Sequence, residues 1–204
     1  MLASGTGRTA IALLALAGVA AAPSGTRAGH FGSRGGDVAL RYPTTLTPTT
    51  APLTSQFARF GWRLFWDAAP DGPGRLLVRF ASAARPTSGA GVVTESIQVG
   101  ASRDPGVVAT CGTAGAKAQD GRRLPDRRFG GHRWTAYASG DAGMSQSLTA
   151  TALRTVVDGT CYAIDRATYR VSAAEPLPAT AIGQRKLAND MDAILASIRV
   201  APNR

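Results

Sequence analysis

Two lysines, two glutamates, two cysteines and two histidines are all that this chain of 204 residues holds of those side chains, and its longest run of small and apolar residues is only 13 long, from residue 10 to residue 22. Each shortage excludes something. Two cysteines and two histidines without close spacing match no zinc pattern. Glu95 and Glu175, with eleven aspartates, leave few ways to pair carboxylates for acid–base work. The apolar run is too short for a membrane-spanning helix, which needs about 20 residues, but suits the roughly 7–15 residues of a secretory leader.

That leader is the first expectation. "MLASGTGRTAIALLALAGVAAAPSGTRAGH" offers one basic residue, Arg8, then the apolar run, then small residues at which a peptidase could cut. Cleavage after Ala21 or Ala22 fits, although Pro23 crowds the second site, and Ala28 with Thr26 offers another exit; the position stays open between 21 and 28. Residues 1–28 are therefore read as a signal peptide and residues 29–36, glycine-rich and short of large apolar side chains, as a flexible arm. The first cysteine is Cys111, so a lipid anchor has no acceptor near the cut. The expected product is a periplasmic or secreted protein, free of any transmembrane segment, monomeric, with residues 37–204 forming one domain.

The formal charge is +10, and 21 of the 23 basic residues are arginine. An arginine-for-lysine bias of this kind also follows from base composition of a genome, so it is not by itself a ligand signal. Export makes nucleic acid an implausible partner despite the charge. Lipid A phosphates, acidic glycans, anionic head groups or an envelope protein are the better candidates. No cofactor is implied. The cysteines have one possible intramolecular pairing, Cys111 with Cys161, expected as a disulfide in an oxidising compartment; two buried free thiols are the competing reading.

Along the chain, "DVALRYP" reads as a strand ended by Pro43. Residues 57–67 hold five of the chain's 13 aromatics, expected in the core, an exposed stacking platform being the alternative. "RLLVRFASAA" alternates Leu76, Val78 and Phe80 with Arg75, Leu77 and Arg79, the pattern of a strand with one wet face. In "VVTESIQVGAS", Val93, Ile97 and Val99 share a face. "RDPGVVATCG" predicts a short helix capped by Asp104, with Pro105 in its first turn and Cys111 at its end. "AKAQDGRRLPDRRFGGHRW" is read as an exposed basic loop. Strand-like segments follow around a "GDAG" turn and an Asp158-Gly159 turn of type I′, forming an antiparallel meander. A helix starting near Ala181 or Gly183 stripes Leu187, Met191, Ile194, Leu195 and Ile198, before Ser197 to Val200 turn extended.

These elements describe an α+β fold with a single antiparallel β-sheet and helices packed on it. The opening Leu40, Arg41, Tyr42, Pro43 and the closing Ser197, Ile198, Arg199, Val200 resemble the PsbP/Mog1-like superfamily over about residues 37–200. The resemblance implies an α/β/α sandwich and a non-catalytic accessory or binding role, without transferring a binding site.

Two function classes compete on the residues. An anion-binding module would use Arg122, Arg123, Arg127, Arg128 and Arg133, whose guanidinium forks take phosphate or carboxylate oxygens in pairs; the bland alternative is a solvated loop. A hydrolase would need His132 with Ser139 or Ser145, yet no G-x-S-x-G turn is present. Glu95 with Asp104 or Asp165, and Cys161 as a nucleophile, are weaker still. The binding protein is the preferred reading.

Overall fold

The computed structural model describes residues 27–51, 58–65, 72–84, 91–113, 121–171 and 182–201. The expected leader lies almost wholly outside them, as do Phe57 and Trp66 of the aromatic-rich stretch. In chain order the elements are β1 (Ala28–Gly32), β2 (Val38–Pro43), β3 (Arg59–Phe60), β4 (Leu64–Phe65), β5 (Arg75–Ala84), β6 (Val92–Ser102), α1 (Pro105–Ala109), β7 (Arg122–Phe129), β8 (His132–Gly143), β9 (Gln146–Val157), β10 (Thr160–Val171), α2 (Ile182–Ser197) and β11 (Arg199–Val200).

Long alternating strands joined by tight turns build the central layer. Asp158 and Gly159 take φ of 46° and 67°, the left-handed pair that a two-residue type I′ hairpin requires, and they set β9 against β10 in continuous register. The β8–β9 turn falls at Met144 and Ser145, with φ of 47° and 66°, so β8 runs through the expected "GDAG" turn. These strands join a six-stranded antiparallel sheet in the order β5-β6-β10-β9-β8-β7.

A second antiparallel sheet, β1-β2-β11, and the hairpin β3-β4 complete the strands. The architecture is thus mostly β with two main sheets, and the expectation of a single sheet with helices packed on it, the α/β/α sandwich of the resemblance, is corrected. Among the described residues only α1 and α2 are helical. The arm expected over residues 29–36 is also revised: its first part is β1, pairing His30 with Arg41 and Phe31 with Leu40 along β2. Glycine-rich composition hid a strand whose partner, not its own propensity, orders it.

One face of the large sheet is covered by the small sheet and α2 together. Met191, Ile194, Leu195 and Ile198 of the predicted stripe meet Val38 and Leu40 of β2, Phe80 of β5, Ile97 and Val99 of β6, and Ile164 of β10 in one apolar cluster. Burying each such side chain contributes about 1.5–3 kcal/mol. Trp134, stacked on Phe129 with ring centroids 4.9 Å apart, closes the β7–β8 end.

The opposite face carries the β3–β4 strap and α1. Trp62 lies against the disulfide between Cys111 and Cys161, beside Val107 and Ala163. Asp104 caps α1, accepting from Val107 N at 3.0 Å. The strap rests directly on Gly100 of β6, where any side chain would overlap the carbonyl of Trp62. It also dries the face of β5 that the alternation marked as wet: Arg79 is only 1 % exposed. Its guanidinium donates to Gln98 Oε1 and to Phe60 O, while Asp165 accepts from Leu64 N at 2.7 Å and pairs with Arg154 at 2.7 Å. Burial favours the neutral form of Arg79 and lowers its pKa, against the opposing charge of Asp165.

Candidate anion-binding site

From Arg122 onward the basic segment is an edge strand with a hairpin, not a loop; its residues 116–120 lie outside the described ones. β7 pairs with β8 on one side only, with a register shift between Leu124 and Arg127 around Pro125. An edge strand needs no hydrogen bonds on its outer side, which is why a proline and four arginines are tolerated, and such charges also block pairing with a second sheet.

Pairing register sorts the five candidate arginines onto two faces, because directly opposed residues in antiparallel strands project to the same side. Arg123 lies opposite Tyr137, and Arg128 opposite Arg133, away from the α2 side. There Asp126 takes hydrogen bonds from both Arg123 and Arg133, which hold its carboxyl below the usual range, Arg123 first. Arg123 also lies 5.2 Å over the Tyr137 ring and donates to the carbonyls of Leu124 and Ala136. These two arginines bind the hairpin together. The side chains of Arg122, Arg127 and Arg128 are exposed and make no hydrogen bond or ion pair among the described residues.

Arg122 opens onto a groove of about 470 Å³ on the α2 side of the large sheet, beyond the part that α2 and the small sheet cover. Two rows of side chains cross its floor. Arg122 faces Ala138, which faces Thr151, which faces Arg166. In the next row Gly140 faces Thr149, which faces Thr168, which faces Glu95. Small residues on β8 leave the space, and threonines on β9 and β10 line it with hydroxyls. Three strand spacings separate Arg122 from Arg166, about 14 Å between backbones.

The inner wall is charged and braced. Arg166 donates to Asp192 and to Ala188 O of α2 and stands 3.8 Å from Glu95 Oε2. Glu95 is 6 % exposed; its Oε1 accepts from Thr168 at 2.8 Å, and its Oε2 has no hydrogen-bond partner among the described residues. Arg166 and the threonines were not singled out from sequence. The signal was there in the period-two spacing of Thr149 and Thr151, and of Arg166 and Thr168, but only the strand order shows that these pairs are neighbours.

The geometry does not assemble the hydrolase alternative. His132 Nε2 donates to Val200 O at 2.9 Å, tying β8 to β11. Ser139 is seven residues along β8 on the other face, about 23 Å away by strand rise, and Ser145 is farther, in the β8–β9 turn. Glu95 and Asp165 project from opposite faces, Asp104 caps α1, and Cys161 is in the disulfide. Among the described residues no group of three or more His, Cys, Asp or Glu is placed to hold a metal, and no helix is long and apolar enough to cross a membrane.

No family model and no curated protein matches the chain. A solved structure from Bacteroides thetaiotaomicron VPI-5482 is similar at a TM-score of 0.37 and 9% identity, over 84% of this chain and 48% of that one. The chain therefore spans about half the length of that neighbour.

Proposed function

We propose that the protein is an exported, non-catalytic binding protein of a bacterial envelope, periplasmic or secreted, and that its ligand is an anionic glycan or head group held along β7 and in the adjoining groove. The leader-like residues 1–28 and the Cys111–Cys161 bond support export into an oxidising compartment. One observation carries the binding role: the side chains of Arg122, Arg127 and Arg128 are exposed and make no hydrogen bond or ion pair among the described residues, while neighbouring Arg123 and Arg133 share the carboxylate of Asp126. Arg122 adds a groove whose threonine hydroxyls suit the neutral oxygens of a sugar.

Elution from heparin tests this. Wild type is expected to need markedly more salt than Arg122→Ser/Arg127→Ser/Arg128→Ser, since exposed charge contacts are screened within about 10 Å at 0.1 M salt. Equal elution of the two proteins removes the site.

A further inference from the structure

We infer that a second anion pocket, separate from β7 and its groove, lies at the end of the sandwich where the β1–β2 turn meets the ends of β5, β6 and β10, and that it takes a phosphate monoester group. The cavity there measures about 540 Å³. Arg34 reaches it from the β1–β2 turn, Arg75 from the first position of β5, and Arg103 from the residue after β6. Three elements distant in sequence thus bring three arginines to one opening. None of the three side chains makes a hydrogen bond or close ion pair among the described residues, although the charge of Arg75 acts on the neighbouring Asp37 carboxylate.

The carboxylates at this opening are already engaged. Asp37 accepts from the Ser33 hydroxyl and from Tyr162 Oη, the latter at 2.9 Å, and Asp104 accepts from Val107 N at 3.0 Å. Three arginines therefore outnumber two committed acids.

Thr160 supplies the second, independent sign. It lines the same cavity at 1 % exposure, and its hydroxyl, which lies against Tyr162, makes no hydrogen bond of good geometry among the described residues. A buried hydroxyl without good hydrogen-bond geometry is costly, and a small turn of the Thr160 side chain toward an acceptor oxygen in the cavity relieves that cost. Three forked donors around one buried hydroxyl match the several terminal oxygens of a phosphate monoester better than the two of a carboxylate. The volume falls within the roughly 300–1,000 Å³ of small-molecule sites, leaving room for the group that carries the phosphate.

Calorimetric titration of the full chain with glucose 1-phosphate, inorganic phosphate, and vesicles containing phosphatidic acid tests the inference, with glucose and neutral phosphatidylcholine vesicles as controls. Saturable binding in at least one phosphate arm is expected, weakened about tenfold or more by Arg75→Gln/Arg103→Gln and to a lesser degree by Thr160→Val. Binding of the soluble ester assigns a free metabolite as the source, and binding of the vesicles alone assigns a lipid head group. Arg122→Ser/Arg127→Ser/Arg128→Ser should leave binding of glucose 1-phosphate and inorganic phosphate unchanged while it lowers retention on heparin, so in the soluble arms the failure of one site is distinguishable from the failure of the other. Should the double variant unfold, Arg34→Gln in the turn gives the same readout. No binding in any phosphate arm, binding indifferent to Arg34, Arg75 and Arg103, or loss only in the β7 variant overturns the assignment.

Discussion

Ser197 clasps the backbone of Arg41 on both sides: its hydroxyl accepts from Arg41 N at 2.9 Å and shares its proton between Arg41 O at 3.0 Å and Ile194 O at 2.8 Å. The residue that ends α2 therefore docks on the middle of β2, and Arg199 and Val200 continue the pairing against Ala39 and Val38. The two short motifs at opposite ends of the chain are thus one structural unit, which answers what the closing change of period from helix to strand accomplishes.

Replacing that hydroxyl tests the clasp. Ser197→Ala should lower unfolding free energy by about 1 kcal/mol, the usual net worth of a hydrogen bond at a site water can reach. Urea denaturation measures it, and an unchanged midpoint would show the clasp to be incidental.

The buried pair of Arg154 and Asp165 predicts a larger effect. Each side chain is 1 % exposed, and Asp165 also holds the strap through Leu64 N. Asp165→Ala leaves a guanidinium buried without its partner, at a cost of about 3–5 kcal/mol. The strap should also become the first site of proteolysis, which limited digestion and mass spectrometry would report.

How much of this was legible beforehand follows the range of each interaction. The α1 cap at Asp104, the Asp158-Gly159 hairpin and the α2 stripe are written in adjacent residues, and the structure keeps all three. The disulfide needed only that two cysteines have one pairing. What failed was tertiary. The strand β1 is made by its partner, so its glycines argued for an arm. Arg79 reads as solvated until the strap covers it, and β7 reads as a loop because an edge strand places few demands on its sequence. The groove was invisible because it needs the order β10-β9-β8-β7 to set Arg122 in one row with Arg166.

The disulfide joins cysteines 50 residues apart. In the chain-entropy model a loop of that size is worth about 4 kcal/mol. Cys111→Ser/Cys161→Ser, or wild type under reductant, should show a matching loss in denaturant titrations. An undiminished midpoint would mean that Trp62 and Val107 hold α1 in place without it.

Tyr162 and Asp37 set the pH limits. Burial, and then the hydrogen bond and charge of Asp37, push the Tyr162 hydroxyl from 10.0 up to about 12. The unfolded chain gives up that proton first, so this stabilisation is complete below pH 10 and is lost as pH rises toward 12. Burial works against the Asp37 carboxylate, yet hydrogen bonds from Ser33 and Tyr162 and the charge of Arg75 hold it below its ordinary 3.8. Its contribution is complete above that value and is lost as pH falls through the lowered one. Tyr162→Phe should therefore be less stable at neutral pH and should flatten the alkaline fall; thermal midpoints from pH 3 to pH 12 would show both or refute the coupling.

The most direct measurement of the binding role is an amide NMR titration of the protein with a heparin hexasaccharide. Perturbations are expected to concentrate at Arg122, Arg127 and Arg128 on β7 and at Thr149 and Thr151 on the groove floor, and to fade as salt is raised. Shifts confined to other surfaces, or no shifts at saturating hexasaccharide in low salt, would contradict the account.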